Sequence, residues 1–421
     1  MTANHSHREP IVITGIGIIA SVGDDRESVW RAVQHGQSGV RRLTGLRGIP
    51  DGLLIGAPVD IEPPRTGRLK VLTLCERAAA EAVQDAAIDW ETIDRDRFAC
   101  SVSNHMGDSS WIVKHVGKGH LLEAGVVPWY EQWIPSTACT IVANRYGLTG
   151  PRSCHATACA SGLVEILSAV RTIRDGRCDI ALAGGGEAID PLVAAGFRQM
   201  RVLAHDDVPE RACRPFDRTR RGFVLGEGAA MFIIERLGHA LTRGARIYAE
   251  LAAGKILADA HHVTDMDAES EALTHLISTT LKDAGLDPAD IGYLNAHGTG
   301  TRQNDPVETR GIRQAMGPAA DSLVISSIKS MLGHLIHAAG SVELAITALA
   351  MRDGFAPPTL NLTTPDPKCD LDCIPLVGRP RRFDHAMKLS VAFGGHLAAV
   401  VLRRWNDSQT GFSYPPVARA A

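Results

Sequence analysis

Three side chains in this sequence are of types that do chemistry and stand where a fold exposes such groups: Cys159, His297 and His334. Cys159 lies in Ser153–Gly176, SCHATACASGLVEILSAVRTIRDG, where Leu163, Ile166, Leu167, Val170 and Ile173 recur at helical spacing and Gly176 can close the helix in a left-handed cap. The cysteine therefore falls at a helix N-terminus. There, unpaired N–H groups and the positive end of the helix dipole favour a thiolate, which lowers the thiol pKa and activates it as a nucleophile. The small neighbours Ala158, Ala160, Ser161 and Gly162 leave room for a substrate. A buried structural cysteine is the other reading of the same stretch. His297 ends the strand-like run Ile291–Ala296 and opens the loop Gly298-Thr299-Gly300-Thr301, while His334 follows the strand Leu323–Ile328 and Lys329–Gly333, ahead of a helix from Ala338 to Met351. One histidine in such a place reads as structural. Two at equivalent junctions, with a helix-tip cysteine, make a Cys-His-His constellation suited to nucleophilic catalysis.

The elements that must position these groups alternate strand and helix. A chain of 421 residues with 45% hydrophobic and 5% aromatic content is large enough for two domains or one duplicated unit. A helix is expected over Leu69–Ala87 and strands over Phe98–Ser103, Cys178–Gly186 and Val224–Glu235, so the first half, to about residue 240, should form a mainly parallel layered sheet. A second such unit is expected from Ile247 to Arg403. The strand Ile11–Thr14 is followed by Gly15-Ile16-Gly17-Ile18-Ile19-Ala20, which superficially matches a dinucleotide fingerprint. No strand ending in an acidic ribose ligand follows at the required distance, so the glycines are assigned to a tight turn. Trp111, Trp129, Tyr130 and Trp133 fall in the irregular segment Asn104–Thr140, a pattern of interfaces or pocket walls.

Lys plus Arg total 44 against 47 Asp plus Glu, a net charge of −3, which gives no general attraction to nucleic acid or an anionic membrane. No apolar run reaches membrane-spanning length, and MTANHSHREP does not read as a signal peptide. Nine cysteines, an odd number without a CxxC pair, read as reduced thiols of a cytoplasmic protein. Asp259, His261, His262, Asp265 and Asp267 are assigned to a solvated loop and not to a metal site.

The chain resembles the β-ketoacyl synthases, condensing enzymes of fatty-acid and polyketide assembly. The matching residues are Thr157-Ala158-Cys159-Ala160-Ser161-Gly162; Arg214-Pro215-Phe216-Asp217 with Gly226-Glu227-Gly228; Asn295-Ala296-His297-Gly298-Thr299-Gly300-Thr301 with Asp305 and Glu308; Ser327-Ile328-Lys329-Ser330 with Gly333-His334; and Phe393-Gly394-Gly395. They run in the family's order from Ile11 to Arg403. The resemblance implies an α/β, thiolase-like fold of two similar halves in a layered αβαβα arrangement, residues 1–240 carrying the cysteine, 241–408 the two histidines and 409–421 a polar tail. It further implies a ping-pong reaction, in which Cys159 takes an acyl group from a carrier-protein thioester and a malonyl carrier protein then decarboxylates and attacks it. Backbone N–H groups of Cys159 and Phe393 would form the oxyanion hole, and His297 and His334 would bind the malonyl thioester, each ring needing a fixed partner on its other nitrogen. Lys329 and Glu308 would be a supporting ion pair. Thr299 and Thr301, with Gly394 and Gly395, would bind substrate, the threonines holding the phosphopantetheine arm. Arg65, Arg68 and Lys70 would receive the acidic carrier protein. No metal or cofactor is implied beyond the carrier's phosphopantetheine, and the partners implied are an acyl carrier protein and a second subunit, either identical or a chain-length-factor-like one.

The chain departs from the family at Val391-Ala392-Phe393-Gly394-Gly395-His396-Leu397, where Ala392 replaces a glycine of the gate loop and Leu397 an amide. His337 stands where glycine is common and reads as a helix-face residue. These changes point to a specialised synthase of a polyketide or polyene pathway, and the resemblance as a whole implies a type II polyketide or fatty-acid pathway. Two other classes are weighed: a non-catalytic chain-length partner, which lacks the nucleophilic cysteine, and a thiolase-type enzyme acting on coenzyme A thioesters, against which the two histidine loops speak.

Overall fold

The computed structural model describes residues 9–46, 49–61, 67–104 and 127–406. Ten strands form the main sheet: β1 (Ile11–Ala20), β2 (Phe98–Asn104), β3 (Arg152–Ser153), β4 (Ile180–Glu187), β5 (Gly228–Arg236), β6 (Ala249–Ala258), β7 (Ile291–Asn295), β8 (Val324–Ser326), β9 (His385–Ala392) and β10 (His396–Arg404). Their spatial order is β8-β7-β9-β10-β6-β1-β5-β4-β2-β3. Read inward from the two edges, this gives 3-2-4-5-1 and 8-7-9-10-6, the same path traced twice. The halves meet where β1 pairs antiparallel with β6 through Val12–Glu250 and Ile13–Ala249. The mainly parallel sheet expected from the sequence is corrected to a mixed one: β2–β3, β2–β4, β7–β8 and β7–β9 are parallel, the other pairings antiparallel. The long excursion after β4 and the hairpin β9–β10 return the chain in the opposite sense.

Helices sort into layers around these strands. Helix α1 (Lys70–Asp85) packs on β1 and β5, and α3 (Glu271–Ala284) on β6 and β10. Between the two halves, α2 (Ser161–Arg174) packs on α5 (Ile336–Asp353), whose residues from Ala338 to Met351 are all buried. Helix α4 (Asn304–Met316) packs on α3. The central core draws apolar residues from both halves, such as Ile13, Leu163, Leu344 and Val400.

Gly15 and Gly17 do not form the expected turn; both lie inside β1. A Cβ on Gly17 would stand 2.0 Å from Ala78 O and one on Gly15 2.3 Å from Ala82 O, both carbonyls of α1. A register shift between Ile13 and Gly15 turns Ile16 and Ile18 to the central core and sets the glycines against α1. The glycines serve close helix–strand approach. No helix among the described residues is long and apolar enough to cross a membrane.

Candidate active site

Cys159 occupies a short 3-10 turn, Ala158–Ala160, that runs directly into α2. The turn is held by Thr157 N donating to Ser161 Oγ at 2.9 Å, and Ala158 sits at φ 46, a left-handed conformation that costs a non-glycine residue energy. His297 follows β7, and Glu308 of α4 fixes its loop by accepting the N–H groups of His297 (2.5 Å) and Gly298 (2.7 Å). Asp305, one turn earlier, accepts from Gly300 N and from Phe216 N, which ties the Arg214–Asp217 motif to the same loop. His334 follows the helical turn Lys329–Leu332, with its N–H on Val224 O at 2.6 Å.

These three elements converge. His334 Nε2 lies 3.0 Å from Cys159 Sγ, and the His297 ring stands edge-on to the His334 ring with centroids 5.4 Å apart. The His334 ring also rests edge-on against Phe223 at 5.1 Å. Cys159, His297, His334, Thr299, Thr301 and Phe393 line one cavity of about 730 Å³, with Phe197, Met266 and Val391 among its apolar walls and Arg201, Arg221 and Arg302 around it. Thr299 Oγ1 and Thr301 Oγ1 are 3.0 Å apart in its wall. Gly394 and Gly395, expected to touch substrate, shape the loop after β9: both have positive φ, Gly394 N donates to Val263 O, and Gly395 O accepts from Asp259 N.

The electrostatics correct the expectation of a helix-tip thiolate. Burial pushes the Cys159 thiol up to about 12, and the neighbouring Lys329 charge only partly opposes it. Burial, followed by the charge of Lys329, holds both His297 and His334 well below the usual imidazole value. The resting site is thus a thiol beside two neutral imidazoles, with His334 Nε2 within hydrogen-bond distance of the thiol. The fixed partner expected on the other ring nitrogen is not found among the described residues, where Nδ1 of neither histidine has one.

The ion pair expected between Lys329 and Glu308 is replaced by another. Lys329 Nζ donates to Glu343 Oε1 at 2.5 Å and to the carbonyl of His297 at 2.6 Å. Glu308 is occupied with backbone N–H groups and with Asn304 Nδ2. Lys388 of β9 approaches the second oxygen of Glu343 at 2.5 Å, and Lys329, Glu343 and Lys388 are all buried. Sequence reasoning missed Glu343 and Lys388. Their signal was a lone carboxylate in the apolar run 338–351 and a lone ammonium in the apolar run 386–392.

Of the expected docking residues, Arg65 lies outside the described residues. Arg68 pairs with Glu76 at 2.7 Å, and Lys70 turns inward to Glu227, whose carboxylate also accepts from Val59 N and Ile189 N. Two of the three charges thus have internal partners. His337 is more than a helix-face residue: its Nδ1 lies 3.0 Å from Glu187 Oε2, which also accepts its backbone N–H. Leu397 is buried in the outer core of the second half. Trp111 and the Trp129 side chain lie outside what is described, whereas Tyr130, Trp133 and Ile134 are exposed. The 259–267 loop is a local turn network in which His262 Nδ1 accepts from Thr264 N and Asp265 N. Among the described residues, no three His, Cys, Asp or Glu side chains are grouped to hold a metal ion.

Residues 59–240 match the beta-ketoacyl synthase N-terminal domain family, and residues 248–363 match the C-terminal domain family. A 3-oxoacyl-[acyl-carrier-protein] synthase 2 of Coxiella burnetii is 38% identical over 94% of this chain and 99% of its own length. A tetracenomycin polyketide synthase ketoacyl synthase alpha subunit of Streptomyces glaucescens is 34% identical over 95% of this chain and 98% of its own. Among solved structures, a type II polyketide ketosynthase bound to the hexaketide, in complex with its acyl carrier protein, superposes with a TM-score of 0.87 at 33% identity, covering 95% of this chain and 100% of that one.

Proposed function

The chain belongs to the β-ketoacyl synthase family, and from that premise we propose how its own residues carry a two-stage condensation. It is an acyltransferase, a condensing enzyme of fatty-acid or type II polyketide assembly. In the first stage Cys159 Sγ attacks the carbonyl of an acyl thioester while its proton passes to His334 Nε2. The phosphopantetheine thiol leaves with a proton and Cys159 is acylated. In the second stage a malonyl thioester enters, its carboxylate departs as carbon dioxide, and the electron pair remains as an enolate whose oxygen accepts hydrogen bonds from His297 and His334. That carbon attacks the acyl carbonyl, the C–S bond to Cys159 breaks with its electron pair on sulfur, which takes a proton from solvent to restore the thiol, and a β-ketoacyl thioester is released.

The separation of 3.0 Å between His334 Nε2 and Cys159 Sγ, beside a second neutral imidazole, carries this reading. Neutral rings suit both steps: His334 accepts the thiol proton at Nε2 in the tautomer protonated on Nδ1, and in the tautomer protonated on Nε2 it joins His297 in donating a hydrogen bond to an oxyanion, without carrying charge into a buried site. Backbone N–H groups of Cys159 and Phe393 serve as the oxyanion hole, and Thr299 and Thr301 in the cavity wall hold the pantetheine arm. The reaction as proposed uses no metal or nucleotide. The acyl donor and the malonyl unit arrive on an acyl carrier protein, as the company kept by a similar ketosynthase supports. A second subunit, identical or a cysteine-less chain-length partner, is proposed to cover the exposed Tyr130, Trp133 and Ile134.

Intact-protein mass spectrometry after incubation with acyl carrier proteins bearing different chains tests the assignment. The expected result is one acyl mass added to the native chain and none to Cys159→Ala, with the variant still folded. Acylation that persists in the variant, or none on the native chain with any carrier-bound or coenzyme A thioester, would overturn it.

A further inference from the structure

Strand β9 is apolar from Ala386 to Ala392 except for Ser390 and one charge, Lys388, and that charge is fully buried. Its ammonium reaches three groups: Glu343 Oε2 at 2.5 Å, Ala296 O at 3.2 Å, and the carbonyl of Leu389. Lys329, reaching the same carboxylate from the other side, donates to the carbonyl of His297. One carboxylate is therefore forked between two ammoniums, and these hold the consecutive carbonyls of Ala296 and His297 at the root of the histidine loop. One lysine already neutralises Glu343. The second adds the cost of burying another cation, and burial, offset in part by Glu343 and reinforced by the charge of Lys329, pulls Lys388 down to about 8.

We propose that Lys388 is a positioning residue for the condensation: it clamps Ala296 O so that the His297 loop is held from two sides, and it sets a second cation beside Lys329 at the root of that loop, which protects the acid side of the reaction. The inference rests on the functional reading above and deepens it. On the elements packed about the two rings stand Lys329 from the turn after β8, Lys388 from β9, His337 and Glu343 from α5, Glu308 and Asp305 from α4, Glu187 from β4 and the Cys159 thiol. The cations favour the neutral ring and the carboxylates the charged one. Glu308, however, is occupied by backbone N–H groups and Asn304, Glu343 is shared by the lysines, and Glu187 faces His337. Lys329 and Lys388 both act to lower the affinity of His297 and of His334 for a proton.

Lys388→Met tests this, because it keeps the length of the side chain and leaves a balanced Lys329–Glu343 pair, and Lys388→Arg restores a charge in the same place. With both variants shown to be folded by their thermal transitions, malonyl carrier protein decarboxylation is followed across pH. Lys388→Met is expected to fall to about one-third or less of its neutral-pH rate near about pH 5.5, where the native enzyme keeps most of its own rate, and Lys388→Arg is expected to recover the native acid limb. Superimposable acid limbs for the native chain and a folded Lys388→Met would overturn the proposal. If the native chain decarboxylates no malonyl carrier protein, the functional reading fails separately. In that case proton titration of the 13Cε1-histidine signals decides the inference alone: it stands if two buried histidines titrate at higher pH in Lys388→Met, and falls if they do not move.

Discussion

Replacing Glu343 with glutamine is the sharpest probe of the buried charges, because the side chain keeps its shape and loses only its anion. In the native fold the carboxylate has an ammonium 2.5 Å from each oxygen, with all three side chains at most 1% exposed. Removing one member of a buried pair costs about 3–5 kcal/mol. The lysines would keep the carbonyls of His297, Ala296 and Leu389 as acceptors, so the expected loss at neutral pH is at the lower end, about 3 kcal/mol. The sign of its pH dependence follows from Lys388. Its folded-state value is already about 8 against an ordinary 10.5, and Glu343 is the charge that raises it, so the variant's value is lower still. A cation held more weakly in the folded state penalises folding fully below its folded value, and the penalty fades as pH climbs towards the unfolded value. Urea denaturation of Glu343→Gln and the native chain should therefore show a larger deficit near about pH 6 than near about pH 9.5. A deficit below about 1 kcal/mol at neutral pH, or one that does not change with pH, would refute the burial of an ion triad here.

The histidines should separate by stage. His334→Ala should slow both the loading of Cys159 and malonyl decarboxylation, by roughly a hundredfold or more, because the thiol then lacks the base beside it, whereas His297→Ala should chiefly lose decarboxylation; equal losses of both half-reactions in both variants would remove the assignment. Gly17→Ala should destabilise the fold by about 2 kcal/mol or more in denaturant, since the new Cβ meets backbone of α1 that cannot move aside. Gly176→Ala, with open space around it but φ +71, should cost only about 1 kcal/mol, and a reversal of that order would show that α1 yields.

Much of the site was legible in the sequence because its groups sit at element ends. Gly-rich stretches after β7 and before α5, and small residues before α2, mark junctions, and Cys159, His297 and His334 do meet at one cavity. What spacing did not carry was the solvent balance. The helix N-terminus behind Cys159 was visible, but the burial that outweighs it depends on Phe223, His334 and the second half of the chain, which pack around the thiol only in three dimensions. Lys329 was found as a residue and given the wrong partner, since Glu308 and Glu343 are both plausible by sequence and only the backbone N–H groups of His297 and Gly298 reveal which carboxylate is already engaged. The turn assigned to Gly15 and Gly17 failed for a related reason: a glycine signals missing bulk, and whether the chain turns there or another element approaches is decided by the partner, here α1. The parallel sheet expected from alternating strands and helices failed because β5 and β10 return against their neighbours, a property of path and not of composition.

The order of strands also sets a timetable for synthesis. The thiol of Cys159 and its base are 175 positions apart in the chain, and β7 and β8, which bear the histidine loops, join the sheet only through β9 and β10, which follow them in the sequence. A nascent chain that has completed only its first half therefore presents the thiol without its base and without the second half that buries it, and the site is assembled only when residues 385–404 emerge and close the middle of the sheet. Loss of those residues is then no trimming of an edge: it disconnects the two sources of the site.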